Sequence, residues 1–300
     1  MSGLRPIRKA IDWGELAPLR LRARRVAEGV YAGMHRSARR GAGVEFGGYR
    51  EYVPGDDLRW LDRRSLLRHD RLVVRQFETE TDRALCLLVD ASASMSFRGP
   101  RAPGAKVAFA GVVAAALARI SLASGDPVSL TFLGAGGVSV PRSVGNEQFE
   151  RIVAALEAVE PAGDALLDRA MLDRALQVLA RSSRRGAIVV LLSDLIDLPE
   201  LAAEQVAAIA TAGRVLAVVQ TLDPAEVDFP FSGTVRLRAL EGGTVVETDA
   251  ESTRDQYIEA LEQLTRGWSD AITRRGGRML RVTTDADAVG VVRSVVEAVR

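Results

Sequence analysis

Three oxygen-bearing side chains occupy alternate positions in the segment Asp90-Ala91-Ser92-Ala93-Ser94. A carboxylate and two hydroxyls with this spacing can converge on one point where a strand runs into a loop. Hard oxygen donors of this kind suit Mg²⁺ or Mn²⁺, which prefer octahedral oxygen coordination and keep some of their water. The pattern therefore predicts a divalent metal site with Asp90, Ser92 and Ser94 as ligands.

Further acidic residues could join this site. Asp194 ends a second apolar run, and we expect it to ligate the metal directly or through water, with the Ser193 hydroxyl in support. Asp164 precedes a helical stretch, where aspartate is also a preferred N-cap, so coordination and capping both stay open for it. Asp197 lies three residues before Glu200, and a capping box explains it better than metal binding does.

The elements that would position these residues alternate between strand and helix from Ala84 onward. The runs Leu85–Val89 and Ala187–Leu192 are short and continuously apolar, as is typical of strands buried on both faces. The alternation predicts an α/β fold with a doubly wound, mostly parallel sheet. Sites in such sheets form at the carboxyl ends of the strands, and Asp90 and Asp194 both stand at such ends.

Two segments depart from this alternation. The stretches 234–240 and 244–247 flank a glycine turn and predict a β-hairpin, inserted at about 228–250. Residues 1–83 are predicted to form an N-terminal appendage to an α/β domain that spans 84–300, and the pattern of 71–77 is that of a strand within the appendage.

The first forty residues carry ten basic and three acidic side chains. They predict a basic helix with Leu16, Leu19, Val26 and Val30 on its inward face. A metal-free scaffold that binds an acidic partner through this helix is therefore an alternative function. Aromatic residues are not interleaved with the arginines, so we do not expect a nucleic-acid partner.

Composition excludes several kinds of protein. The chain has one cysteine and two histidines, which leaves no intramolecular disulfide and no zinc site built from Cys and His. Cys86 is expected in the core, and His35 and His69 are expected to face solvent. The apolar stretch Val107–Ala118 is shorter than the roughly 20 residues of a spanning helix, and no signal peptide is visible, so we expect a cytoplasmic protein without a membrane span.

Enzymatic functions are mostly excluded by missing motifs. The sequence has no G-x-S-x-G elbow and no phosphate-binding P-loop. A magnesium-dependent phosphohydrolase is a further alternative, because Asp90, Asp164 and Asp194 could hold Mg²⁺ against a phosphate. It lacks an evident general base and an evident lysine to bind the phosphate. We therefore expect a protein that is not an enzyme.

The chain resembles known families in two places. The Asp90–Ser94 pattern, the loop before the third helix and Ser193-Asp194 resemble the metal-ion-dependent adhesion site of von Willebrand factor A domains. The upstream segments VEFGGYREYVPGDDLRWLD, at 44–62, and LVVRQFE, at 72–78, resemble the bacterial family called domain of unknown function 58. Genes of that family commonly lie beside those of MoxR-type AAA+ ATPases. The resemblance spans about residues 40–300.

This resemblance implies a von Willebrand A (Rossmann-like) fold and a role as adaptor or co-chaperone. The implied partners are a MoxR-type AAA+ ATPase and an unidentified client protein, with an acidic residue of a partner completing the metal coordination. The chain departs from the families in two residues, since Asp164 stands where the adhesion site has a threonine and Arg63 where relatives have a tryptophan. Many relatives also carry N-terminal membrane spans, and we expect this chain to be a short, soluble form.

Overall fold

The computed structural model describes residues 11–38, 49–51, 61–62, 73–75, 83–134, 139–162, 170–196, 198–199, 201–211, 213–238 and 245–299. The chain divides into two compact units. The larger contains residues 1–32 and 82–300, and the smaller contains residues 33–81. Residues 11–32 thus cluster with the larger unit, whereas the predicted appendage spans 1–83.

The larger unit is built on a six-stranded sheet. Its strands are β4 (Leu85–Asp90), β5 (Val128–Leu133), β6 (Val140–Ser143), β7 (Ile188–Ser193), β8 (Val215–Leu222) and β11 (Arg278–Thr283). Their order across the sheet is β11-β8-β7-β4-β5-β6. The first five are parallel to their neighbours and β6 is antiparallel at the edge. This arrangement confirms the predicted α/β fold with a mostly parallel sheet.

Helices cover the sheet. Among the described residues they are α1 (Leu19–Ala38), α2 (Lys106–Ala123), α3 (Asn146–Ala158), α4 (Ala170–Ser182), α5 (Ala202–Thr211), α6 (Pro224–Asp228), α7 (Ala250–Arg274) and α8 (Ala288–Ala298). Side chains alternate between the faces of β4, so Cys86 and Leu88 pack in the core formed with α4, α5 and α7. Leu87 and Val89 point to the other face, on which α2 contacts the strand. Cys86 is fully buried, which confirms its predicted place in the core.

The helix α2 is the most apolar helix among the described residues. It is buried over residues 106–118 and has a mean hydropathy of 1.7. By length and composition it is the one helix among the described residues that could cross a membrane, and 72 % of it is buried inside the protein. A helix that packs in the core of an α/β domain would be buried to a similar extent.

The N-terminal helix α1 packs on the larger unit through one face. Leu16, Leu19, Val26 and Val30 are buried, which confirms the predicted inward positions. Two of the exposed arginines form ion pairs, Arg20 with Glu150 at 2.8 Å and Arg24 with Glu28 at 2.9 Å. Part of the positive charge of this helix is therefore balanced within the chain.

The predicted hairpin is also present. The strands β9 (Thr234–Arg238) and β10 (Val245–Asp249) are antiparallel, with Thr234 opposite Asp249. The glycine turn predicted between them lies outside the described residues. Asp249 at the end of β10 caps α7 by accepting a hydrogen bond from the Ser252 N–H at 2.9 Å.

The smaller unit contains a three-stranded antiparallel sheet. Its strands are β1 (Tyr49–Glu51), β2 (Leu61–Asp62) and β3 (Val73–Arg75), in the order β1-β3-β2. β3 lies within the segment 71–77, which confirms the strand predicted there. Arg63, the departure from the family pattern, and His69 are outside the described residues, as is the side chain of His35.

Candidate metal centre

The loop that follows β4 brings Asp90, Ser92 and Ser94 together. Asp90 is the last residue of the strand, and Ser92 precedes a short 3-10 helix at Ala93–Ser96. Asp90 Oδ1 accepts a hydrogen bond from the Ser92 N–H at 2.8 Å, which folds the loop back over the carboxylate. The Ser92 and Ser94 hydroxyl oxygens are 3.0 Å apart. All three residues are buried, so the sequence pattern does produce a compact group of oxygen atoms.

The neighbouring strand β7 adds Ser193 to this group. β4 and β7 run in parallel with Val89 opposite Leu192, so both strands end at the same edge of the sheet. The Ser193 hydroxyl donates to Asp90 Oδ2 at 2.5 Å and accepts a hydrogen bond from the Leu195 N–H at 2.9 Å. Ser193 therefore orients the Asp90 carboxylate, and its predicted support of a bound metal stays a prediction.

Asp194 is fully buried, and both of its carboxylate oxygens already have hydrogen-bond donors. Oδ1 accepts from the Ile196 N–H at 3.0 Å, and Oδ2 accepts from Lys106 Nζ at 2.7 Å. Its negative charge still acts on Asp90, because it contributes to raising the pKa of that carboxyl group. Asp164 and Asp197 lie outside the described residues, and the choice between capping and coordination stays open for Asp164.

Lys106 lies in the candidate site but was not among the residues predicted for it. It begins α2, its side chain is fully buried, and Nζ donates to Asp194 Oδ2 and, at 2.5 Å, to Glu226 Oε1. Lysine is almost never fully buried unless a carboxylate pairs with it. A lysine directly before the uncharged stretch Val107–Ala118 of a helix was therefore the available signal.

Glu226 comes from the segment that follows β8. Asp223 caps the short helix α6, and Glu226 Oε2 accepts from the Asp223 N–H at 2.8 Å, which forms a capping box. Asp223 also accepts a hydrogen bond from the Gly99 N–H at 2.7 Å, which ties the loop after Ser94 to α6. Three consecutive strands of the sheet order, β4, β7 and β8, thus deliver acidic residues to one edge.

Burial controls the protonation of this group. It raises the pKa of Asp90 to about 6, with a further contribution from the negative charge of Asp194. Burial also raises the pKa of Glu226, although the nearby Lys106 opposes this. For Lys106 burial acts in the opposite direction, but Asp194 and Glu226 outweigh it and raise the pKa of the ammonium group, which stays charged.

These donors fit a hard divalent cation. Asp194 and Glu226 share a single ammonium group, that of Lys106. Asp90 lies within the electrostatic reach of Asp194 and has no cationic partner among the described residues, which leaves an excess of negative charge in a buried place. No group of three or more Asp, Glu, His or Cys side chains within the described part of the chain is placed to hold one ion. A cation here would therefore depend on Asp90 together with the hydroxyls of Ser92 and Ser94.

Gly134 provides the space in which the loop after β4 lies. It follows β5 with φ of +100°, and a Cβ built on it would be 2.7 Å from the Ala91 carbonyl carbon and 2.9 Å from the Ser92 nitrogen. Gly134→Ala should therefore lower the free energy of unfolding by about 2–4 kcal/mol, measured by urea denaturation. Gly125→Ala is the matched control, since its φ is +84° but no atom lies within 4 Å of the added Cβ. Equal losses for the two variants would contradict the packing argument.

Solved structures with similar folds cover about seven tenths of the chain. BatB from Bacteroides thetaiotaomicron is 18 % identical with a TM-score of 0.48, covering 71 % of this chain and 97 % of that one. An aerotolerance-related membrane protein from Bacteroides fragilis is 16 % identical with a TM-score of 0.48, covering 72 % and 98 %. The SpRpn10 VWA domain is 9 % identical with a TM-score of 0.38, covering 70 % and 92 %.

The expectation of a cytoplasmic location is wrong. Its premise was that no segment is long and apolar enough to span a membrane, and α2 meets the length and hydropathy requirements of a spanning helix. The uncharged stretch Val107–Ala118 is short because Lys106 and Arg119 bound it, but these two charges do not reduce the mean hydropathy of α2 below that of a spanning helix. The description of the Bacteroides protein holds for that protein, and no location is assigned to this chain.

Sequence comparison identifies the family. Uncharacterized proteins of Mycobacterium tuberculosis and Mycobacterium bovis are each 31 % identical over 276 residues, which cover 91 % of this chain and 84 % of the relative. The family model described as "Protein of unknown function DUF58" matches residues 48–266. These matches show that the chain belongs to the DUF58 family.

Proposed function

We propose that this chain is a non-enzymatic, metal-dependent protein-interaction module. The observation that carries the proposal is the buried oxygen group of Asp90, Ser92 and Ser94, in which the one carboxylate lacks a cationic partner among the described residues. Mg²⁺ or Mn²⁺ held by these three residues would supply an electrophilic point at which an acidic side chain of a partner binds. The von Willebrand A-like fold supports the role of an interaction module.

The surrounding residues prepare the site for this role. The Ser193 hydroxyl and the Ser92 N–H fix the Asp90 carboxylate in one orientation. The Gly99 N–H bond to Asp223 ties down the loop that follows Ser94. Because these groups are ordered before any ligand arrives, little conformational entropy remains to be lost on binding.

We further propose a MoxR-type AAA+ ATPase as the partner, with this chain presenting a client protein to it. The support is the resemblance of the segments 44–62 and 72–78 to a family whose genes commonly lie beside those of such ATPases. An acidic residue of the ATPase or of the client would bind at the metal. The mycobacterial relatives are uncharacterized and do not bear on the choice of partner.

Mn²⁺ titration of the purified protein tests the metal site. We expect the wild-type chain to bind one Mn²⁺ and Asp90→Ala to lose this binding, as measured by electron paramagnetic resonance of the free ion. Asp255→Ala is the control, because Asp255 is an exposed carboxylate on α7. Circular dichroism checks that each variant is folded. Equal binding by wild type and Asp90→Ala would overturn the metal site.

Capture of a purified MoxR-type ATPase tests the role. We expect capture with Mg²⁺ present, and its loss on addition of EDTA or in Asp90→Ala. Capture that survives EDTA but is lost on deletion of residues 1–40 would overturn the proposal in favour of the scaffold that binds through its basic helix. Turnover of a generic phosphoester with Mg²⁺, lost in Asp90→Ala, would overturn it in favour of a phosphohydrolase.

A further inference from the structure

Lys106 places a permanent positive charge against Asp194, which directly follows β7, the strand next to β4. Its side chain is completely buried, and its ammonium group contacts Asp194 at 2.7 Å and Glu226 at 2.5 Å. The Phe97 ring lies on another side of the ammonium, with its centroid 5.9 Å from Nζ. The backbone is also fixed, since the Lys106 N–H donates to the Phe97 carbonyl at 3.1 Å. The charge is therefore held in one place.

The charge of Lys106 reduces the attraction of Asp194 for a divalent cation at the proposed site. Asp194 Oδ2 is engaged by the ammonium group and Oδ1 by the Ile196 N–H. A carboxylate with both oxygens satisfied attracts a nearby cation less strongly than a free one, and the ammonium itself repels that cation. Asp90, by contrast, accepts from the Ser193 hydroxyl and from the N–H and hydroxyl of Ser92, which are all uncharged donors, and it keeps its full negative charge when ionised.

Glu226 acts against Lys106. It shares the same ammonium group, so the positive charge that Asp194 receives is divided between two carboxylates. Glu226 is itself held by the capping box of α6, through the Asp223 N–H. The balance between Lys106 and Glu226 thus determines how much negative charge Asp194 presents toward Asp90.

We propose that Lys106 is a positioning residue that lowers the affinity of the site for divalent cations, and that Glu226 partly restores this affinity. This inference rests on the proposed metal-dependent function and deepens it. Lys106 holds Asp194 away from direct coordination and offsets its charge. The bound ion is then retained by Asp90, Ser92 and Ser94 and keeps more of its positive charge for an acidic partner.

Two variants with opposite expected effects test the proposal. Lys106→Met removes the cation at nearly constant volume and should tighten Mn²⁺ binding by roughly tenfold. Glu226→Gln leaves the ammonium to Asp194 alone and should weaken Mn²⁺ binding by roughly threefold to tenfold. Lys106→Arg keeps the positive charge and should bind Mn²⁺ about as the wild type does. The Mn²⁺ dissociation constant of each full-length variant is measured by electron paramagnetic resonance.

These variants distinguish a variant that does not fold from a failure of the proposed metal site or of the inference about Lys106. Glu226→Gln retains a capping-box residue, so it provides the measurement even if Lys106→Met does not fold. Arg151→Met, which breaks an exposed ion pair with Glu147, controls for loss of an arbitrary charge. If the wild type binds no Mn²⁺, the proposed function fails. If the wild type binds Mn²⁺ and Glu226→Gln binds it equally or more tightly, the inference about Lys106 and Glu226 fails while the metal site stands.

Discussion

Lys106→Met is expected to lower the free energy of unfolding of the metal-free protein by about 3–5 kcal/mol. The substitution leaves Asp194 fully buried and Glu226 largely buried, without the ammonium group that both contact. Two carboxylates without a counter-charge in a buried place must take up protons or remain ionised at high cost. Urea denaturation followed by circular dichroism at neutral pH, in EDTA, measures the loss.

A combined variant distinguishes unpaired charge from lost packing. Lys106→Met together with Asp194→Asn and Glu226→Gln removes all three charges, and we expect it to recover most of the stability lost in Lys106→Met alone. Arg151→Met removes an exposed partner of Glu147 and should change stability by less than about 0.5 kcal/mol. The electrostatic account is contradicted if the combined variant is no more stable than Lys106→Met.

The central strands of the sheet could be predicted because a strand buried on both faces is a continuous run of apolar residues in the sequence. Leu85–Val89 and Ala187–Leu192 are continuously apolar, and the structure places β4 and β7 there, side by side at the centre of the sheet. The amphipathic face of α1 was equally readable, since its inward residues recur with the helical period. Each of these patterns involves residues close together in sequence, so it can be recognised without knowledge of the tertiary structure.

Part of the site was predictable for the same reason. Asp90, Ser92 and Ser94 lie within five residues, and a strand followed by a turn is enough to bring them together. Asp194 could be added because parallel neighbouring strands end at the same edge of a sheet. The hydrogen bond from the Ser193 hydroxyl to Asp90 follows from that same alignment.

The ion pairs of Lys106 could not be predicted in this way. Asp194 is 88 residues from Lys106 in sequence and Glu226 is 120 residues away. Which acids meet the start of α2 depends on the order β8-β7-β4, because that order places the ends of β7 and β8 beside the loop after β4. The local sequence shows that Lys106 begins a buried helix, but the order of the strands in the sheet cannot be inferred from it.

Asp90→Asn is expected to change stability in the opposite direction to Lys106→Met. Burial raises the pKa of Asp90 from 3.8 to about 6, so between about pH 4 and 6 the native protein holds a proton that the unfolded chain has already released. The contribution of Asp90 to the stability of the metal-free wild type therefore falls by about 3 kcal/mol as the pH rises through this interval. Asparagine stays neutral, so the variant should be more stable than the wild type at pH 7.5 and similar to it near pH 4.

The hydrogen bonds of Asp90 can be kept in Asp90→Asn, which permits the expected gain in stability. An asparagine oxygen can accept from the Ser92 N–H, and its amide can donate to the Ser193 hydroxyl, which can turn to accept. Asp223→Asn is the matched control, because Asp223 is equally buried but accepts from two backbone N–H groups, of Gly99 and Ala225. One of these would face the new amide group, so Asp223→Asn should be less stable than the wild type by about 1–3 kcal/mol.

Urea unfolding from pH 4 to 8 in EDTA, and again with Mn²⁺, measures the effect. We expect Mn²⁺ to stabilise the wild type above pH 6, because the ion binds the ionised Asp90 carboxylate in the native state only. Asp90→Asn should show no such response, even though its metal-free form is the more stable protein. An asparagine variant that is less stable than the wild type at pH 7.5 in EDTA would show that Asp90 is already balanced by the chain itself. The buried oxygen group would then carry no excess charge for a divalent cation to neutralise.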